Sequence, residues 1–161
     1  MSVLVTGGAG YIGSHMTLEL ADRGDKIVVL DNLSTGVRAQ VAEVATFVQG
    51  DIRDSALVRD VLKKHDVEAV IHFAGSIVVP ESVENPLLYY SNNTAASRDL
   101  IESCVASGVK KFIFSSTAAV YGVTDQPAIA EDTATDPASP YGRSKLMTEW
   151  MLEDAAIAGH L

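Results

Sequence analysis

The sequence predicts an α/β protein: a parallel sheet, doubly wound, with helices on both faces. Three observations carry the prediction. Five short runs are apolar on both faces, helical stretches with readable ends separate them, and a turn of spaced glycines follows the first run. Two-sided apolar runs argue a parallel sheet covered on both faces. Right-handed βαβ crossovers then follow.

The elements read in order. Val3 to Thr6 is the first strand. Gly10-Tyr11-Ile12-Gly13 opens a helix that carries Met16, Leu18 and Leu20 and stops near Gly24. Lys26 to Leu30 is the second strand and Thr46 to Gln49 a weaker third. Asp54 is placed to cap a helix over Ser55 to Lys64, whose apolar stripe is Leu57, Val58, Val61 and Leu62. Ala69 to Phe73 is the fourth strand. Pro86 suits the first turn of a long helix through Ser107, with Gly108 as its stop. Lys111 to Ser115 is the fifth strand, and a last helix runs from about Tyr141 to Ala158. Between them, Thr124 to Pro140 is rich in Pro, Asp and Thr; a loop of that length is usually functional.

Composition narrows the classes. The 161 residues suit one domain. Net charge is −9, which lacks the basic footprint of a nucleic-acid binder or a polybasic membrane-surface binder. The single cysteine, Cys104, excludes an internal disulfide framework and a multi-cysteine zinc site, and it reads as core. His15, His65, His72 and His160 have no metal spacing, so no metal is expected; His72 is expected to satisfy a local backbone partner. Trp150, Met147 and Met151 read as packing residues of the last helix. No apolar run is long enough to span a bilayer. A strand begins at once at Ser2-Val3-Leu4-Val5, so no leader is expected and the cytoplasm is the default compartment.

The glycine turn is Thr6-Gly7-Gly8-Ala9-Gly10-Tyr11-Ile12-Gly13. Gly7 permits the tight turn, Gly10 lets backbone approach a pyrophosphate, and Gly13 lets helix and strand pack closely. The helix start then offers N–H groups and a positive dipole end to phosphate. Asp31 ends the second strand, 24 residues after Gly7. An acidic residue near that spacing hydrogen-bonds adenosine ribose hydroxyls and repels a 2′-phosphate, which favours NAD over NADP. Asp51, just past the third strand, stands where an adenine edge could be met, and reads equally well as the turn residue at the entry to the next helix.

Tyr141 and Lys145 are four apart and share a helix face. A phenol of ordinary pKa near ~10 is a poor base at neutral pH. A nearby ammonium favours the phenolate, which makes the pair a general acid/base for a sugar or alcohol hydroxyl.

These segments together resemble the extended short-chain dehydrogenase/reductase superfamily and, within it, the NAD-dependent UDP-glucose 4-epimerase family. The matching stretches are VLVTGGAGYIGSH at 3–15, VVLDNLSTG at 28–36, GDIRD at 50–54 and HFAG at 72–75. They continue as PESVENPLLYYSNN at 80–93, KFIFSSTAAVYG at 111–122 and SPYGRSK at 139–145. The resemblance implies a Rossmann-like fold with NAD as cofactor. Gly7, Gly10, Tyr11, Ile12 and Gly13 would hold the pyrophosphate, Asp31 and Asn32 the adenosine ribose, and Asp51 with Ile52 the adenine. Phe73, Ala74 and Gly75 would line the cofactor path; Asn92 and Ser115 would also face it. Thr117 would hydrogen-bond the sugar 4-hydroxyl, Tyr141 would be the acid/base, and Lys145 would hold the nicotinamide ribose. The implied reaction is transient oxidation of a UDP-hexose at C4 to a 4-keto sugar, followed by return of hydride to the opposite face. A homodimer, with no nucleic-acid or membrane partner, is implied as well.

Two departures from the family pattern stand out. Ile77 occupies a position where some members carry lysine, which removes one cation near the phosphates. The family also continues well past this length, with a C-terminal domain that holds the UDP moiety. The expectation is an NAD-binding domain over 1–161 without that substrate domain, with weak NAD binding and little activity alone. Two alternatives are a sister epimerase acting on UDP-glucuronate or UDP-N-acetylglucosamine, and a non-catalytic NAD-binding module. A dehydratase would place an Asp-Glu pair beside the active-site threonine, where this chain has Ala118-Ala119.

Overall fold

The computed structural model describes residues 1–125 and 128–161. Five parallel strands form one sheet in the order β3-β2-β1-β4-β5. They are β1 (Ser2–Thr6), β2 (Lys26–Asp31), β3 (Thr46–Gln49), β4 (Ala69–His72) and β5 (Lys111–Phe114). The register aligns Thr6 with Leu30 on one side and with His72 on the other, and His72 with Phe114. The carboxyl ends of the central strands therefore share one edge. The order reverses between β1 and β4, and in such sheets ligands bind in the crevice at that reversal.

Alternation along the strands divides the interior in two. Leu4, Val28, Leu30 and Val70 face one core with Val58 and Val61 of α2 (Ser55–Lys64) and Leu100 and Cys104 of α5 (Ala96–Ala106). Val3, Val5, Val29 and Ile71 face the other with Leu20 of α1 (Tyr11–Asp22). This is why β1 and β2 read as unbroken apolar runs. The Asp54 carboxylate caps α2 by accepting the Leu57 N–H at 3.0 Å, as the sequence predicts.

Four features depart from the sequence reading. A short helix, α3 (Val79–Glu84), precedes α4 (Pro86–Tyr89), although no periodic stripe announces it. The long helix expected from Pro86 is three pieces, since Tyr90–Ala95 is wound as a π-helix before α5. Expanded turns of this kind are frequent at functional sites. The His72 ring has side-chain partners instead of the expected backbone one. It is fully buried, and its Nδ1 meets the Thr6 hydroxyl at 2.6 Å and its Nε2 the Ser97 hydroxyl at 2.9 Å. Side chains took the partner role because the neighbouring main chain is already spent on the strand ladder.

The fourth departure concerns α6 (Pro140–Ile157). Its buried face is Tyr141, Gly142, Ser144, Lys145, Leu146 and Thr148, so polar side chains share it with one large aliphatic residue. Trp150 is half exposed instead of packed, and Met147 and Met151 line an open groove with Tyr90, Thr94, Ala95 and Arg98. The helix turns Ser144, Lys145 and Thr148 inward beside Leu146, and Trp150 is left outside. Of the loop expected over Thr124 to Pro140, residues 126 and 127 lie outside the described residues.

Candidate active site

The first wall of the site is the β1–α1 turn. Gly7 has φ +70°, and a Cβ there would stand 2.6 Å from the Ala74 nitrogen. Its own N–H donates to the Leu30 carbonyl at 2.9 Å. A Cβ on Gly13 would strike the Gly7 carbonyl oxygen and the Gly8 Cα. A Cβ on Gly10 meets only that carbonyl, at 3.3 Å, and otherwise points into open space. Gly10 is also the N-cap of α1, with no side-chain cap and no acidic residue in the first turn. A bare helix N-terminus behind a wall without Cβ atoms fits a diphosphate. Tyr11 and Ile12 hold their side chains out in solvent, so main-chain groups are what they offer to the site.

Asp31 is buried at the end of β2. Its Oδ2 accepts the Ala9 N–H at 3.0 Å and its Oδ1 the Leu33 N–H at 2.8 Å. The carboxylate thus ties the glycine turn to the end of the second strand. A carboxylate oxygen can accept more than once, so acceptor capacity remains for a hydroxyl. The Asn32 amide donates to Asp51 Oδ2 at 3.2 Å. Asp51 also takes Arg53 Nε on Oδ1 at 3.0 Å and Nη2 on Oδ2 at 2.9 Å. The Arg53 hydrogen bonds hold its carboxyl down at about 2. The Ile52 side chain is spent on the core, so only its main chain is free to serve a ligand.

The second wall follows β4. The Phe73 ring packs against one core, the Ala74 main chain abuts Gly7, and Gly75 has φ +153°. A Cβ on Gly75 would stand 2.9 Å from Asn93 Oδ1 and 3.8 Å from Lys145 Nζ. Asn92, expected to face the cofactor path, donates to the Ser76 hydroxyl at 3.2 Å. Its neighbour Asn93, which sequence reasoning missed, is the better connected. Asn93 accepts the Ser76 N–H at 2.7 Å and donates to the Ser76 carbonyl and the Ser144 hydroxyl, both at 3.0 Å. It thereby stitches the β4 loop, the π-helical turn and α6 together. The doubled asparagine in YYSNN is the one sequence signal that could have pointed to it.

Tyr141 and Lys145 enter on α6. The Ser139 hydroxyl caps that helix by accepting the Gly142 N–H at 3.2 Å, and Pro140 begins it. Both side chains are buried, at 9% and 3% exposure. The Tyr141 ring meets that of Tyr89 edge-on, centroids 6.4 Å apart. Lys145 Nζ donates to the Ser115 carbonyl at 3.1 Å and lies 4.7 Å from the centre of the Phe114 ring. Among the described residues no hydrogen bond joins it to the Tyr141 hydroxyl. Burial pulls its pKa down to about 8, so at neutral pH it is still mostly an ammonium. The Thr117 hydroxyl accepts the Ala119 N–H at 3.2 Å at the start of a 3₁₀ turn and keeps its own proton to donate. Beside it, Ser116 donates to Glu149 of α6. Among the described residues no cluster of His, Cys, Asp or Glu has the makeup of a metal site, and no helix is long and apolar enough to cross a membrane.

This arrangement can seat a flat, diphosphate-linked ligand along the strand ends and hold a phenol and an ammonium at its far end. Comparison with known proteins points the same way. Residues 3–161 match the family described as NAD dependent epimerase/dehydratase. The UDP-glucose 4-epimerase of Azospirillum brasilense is 54% identical over 156 residues, covering 97% of this chain and 45% of that protein. The crystal structure of UDP-glucose 4-epimerase from Brucella ovis in complex with NAD superposes with a TM-score of 0.95 at 47% identity, over 98% of this chain and 48% of that one. The UDP-Glc/GlcNAc 4-epimerase of Campylobacter jejuni gives 0.93 at 44% identity, over 98% and 49%. The chain spans about half the length of the relatives it matches.

Proposed function

From its membership of the NAD dependent epimerase/dehydratase family, to which this chain belongs, we propose that it binds NAD and carries the acid/base machinery for epimerisation at C4 of a UDP-hexose. The observation that carries the reading is the buried Tyr141–Lys145 pair on α6, at the same sheet edge as the uncapped glycine turn. In this reading the main chain of Gly7, Gly10, Tyr11, Ile12 and Gly13 holds the diphosphate. Asp31 and Asn32 take the adenosine ribose, and Asp51 with the Ile52 main chain takes the adenine. Phe73, Ala74, Gly75, Asn92 and Ser115 line the path between. When bound, NAD supplies the hydride acceptor for oxidation of the sugar carbon and gives the hydride back. Lys145 holds the nicotinamide ribose with an ammonium that neutral pH leaves protonated. Tyr141 takes the proton from the sugar 4-hydroxyl and later returns one to the same oxygen. Thr117 donates its hydroxyl proton to that oxygen and orients it. Ala118 and Ala119 follow Thr117 and supply no acid to expel water, which favours epimerisation over dehydration.

The experiment joins residues 3–161 to the C-terminal half of the Azospirillum brasilense relative and follows UDP-galactose turnover. Tyr141→Phe should lower kcat by roughly 10²–10⁴-fold, the usual worth of a general acid/base, while NAD binding persists. Turnover unchanged by Tyr141→Phe would refute the reading. The 161 residues alone are expected to turn over little. The Campylobacter jejuni neighbour, named for both UDP-Glc and GlcNAc, favours a second reading in which N-acetylated sugars are also substrates; kcat/KM for the two sugar classes separates them. The open groove between the π-helical turn and α6, lined by Tyr90, Met147 and Met151, supports a homodimer covering it, which sedimentation of the purified chain tests.

A further inference from the structure

Thr6, His72 and Phe114 are register partners on three adjacent strands, so they form one row across the carboxyl edge of the sheet. The row ends under a cation, because the Lys145 ammonium lies 4.7 Å from the centre of the Phe114 ring. Phe114 belongs to neither apolar core, whereas Phe112, two residues earlier, packs against one of them. The ring contacts of Phe114 are instead with Lys145 and with His72, whose ring stacks on it at 5.5 Å and 28°. His72 is in turn fixed at both nitrogens by the hydroxyls of Thr6 and Ser97.

We propose that Phe114 is a positioning residue: its ring face, braced by His72, fixes the Lys145 ammonium at the mouth of the dinucleotide cleft. The use made of that ammonium rests on the NAD reading above; the positioning itself rests on this geometry. Lys145 has three N–H donors, and among the described residues one goes to the Ser115 carbonyl. A second anchor without an acceptor atom holds the head group and leaves the other donors free for a ligand. An acidic anchor would do the same work but would add a negative charge beside a bound diphosphate. The ring quadrupole attracts the cation, and desolvation strengthens the attraction.

The ionisable neighbours do not displace this role. Burial drives His72 down to about 3, so it is neutral at physiological pH. Tyr141 stands one helical turn before Lys145. Glu149 stands one turn after and is engaged by Ser116. Tyr89 is buried and pushed up to about 12, chiefly by burial.

The test replaces Phe114 with phenylalanine carrying one, two or three ring fluorines, which drain the quadrupole at nearly constant shape. The Lys145 ε-position is followed by NMR through a pH titration of the unliganded chain and assigned by its absence in Lys145→Met. The expected result is a stepwise fall of the Lys145 pKa with each fluorine, reaching roughly one unit, about 1.4 kcal/mol of cation–π attraction. NAD affinity should weaken in the same order. A Lys145 pKa flat across the series overturns the inference, whether or not NAD binds. Absence of NAD binding together with an intact fluorine trend removes the proposed function and leaves the positioning in place.

Discussion

At the β1–α1 turn the constraints are set by backbone, whereas at the start of α6 they are set by side chains. Gly7 and Gly13 leave no room for a Cβ, and Asp31 reaches back to a main-chain N–H. Tyr141 and Lys145 are instead held by Tyr89, Phe114, Ser115 and, through Ser144, Asn93, which come from three other segments. The first region admits no added side chain because the space a Cβ would need is already filled by main chain. The second is poised because a charge is buried there with few partners in the chain. One end of the cleft is thus set by fit and the other by a buried charge.

Mutations can break that contrast. The largest effect is expected at Gly13. Gly13→Ala forces a Cβ into the Gly7 carbonyl, and overpacking against main chain costs on the order of 3 kcal/mol or prevents folding. Urea denaturation reads this directly. Gly10→Ala is the control on the same turn. Its Cβ meets one atom at 3.3 Å, so stability should change by under about 1 kcal/mol while NAD binding weakens. Equal losses at the two positions would deny that one glycine serves packing and the other serves a ligand.

The chemical end should show the opposite signature, stability sacrificed to a buried charge. The folded pKa of Lys145 is about 8, below the free-lysine value near ~10.4. Between those values the unfolded chain binds more protons than the folded one, so stability rises with pH across that window. The total rise is of order 3 kcal/mol for so buried a group. Lys145→Met should therefore be more stable than the parent at pH 7, by an amount smaller than that because the Ser115 carbonyl loses its donor. The advantage should vanish by the top of the window. Denaturation at pH 7 and pH 10.5 reads both points, and a Lys145→Met variant no more stable at pH 7 would show that this charge costs nothing.

The same contrast decides what the sequence disclosed. β3 over Thr46–Gln49 and α2 over Ser55–Lys64 were legible to the residue, because a short apolar run and a capping aspartate are local signals. The roles of Gly7 and Gly13 were legible because a backbone requirement leaves its mark at the glycine itself. The spacing of Tyr141 and Lys145 was legible as well, but their surroundings were not. Asn93, the hydroxyls on His72 and the Phe114 ring under Lys145 come from residues far apart in the chain, and no local pattern joins them. The polar inward face of α6 misled for a related reason. Trp150, Met147 and Met151 read as packing residues, while the buried side of the helix holds Tyr141, Ser144, Lys145 and Thr148 beside Leu146.

The most direct test of the account is calorimetric titration of the purified chain with NAD and NADP, repeated on Gly10→Val. Saturable NAD binding is expected, with weaker NADP binding because Asp31 repels a 2′-phosphate, and loss of both when a side chain fills the open space at Gly10. Binding that survives Gly10→Val, or no dinucleotide binding by the folded parent chain, would contradict it.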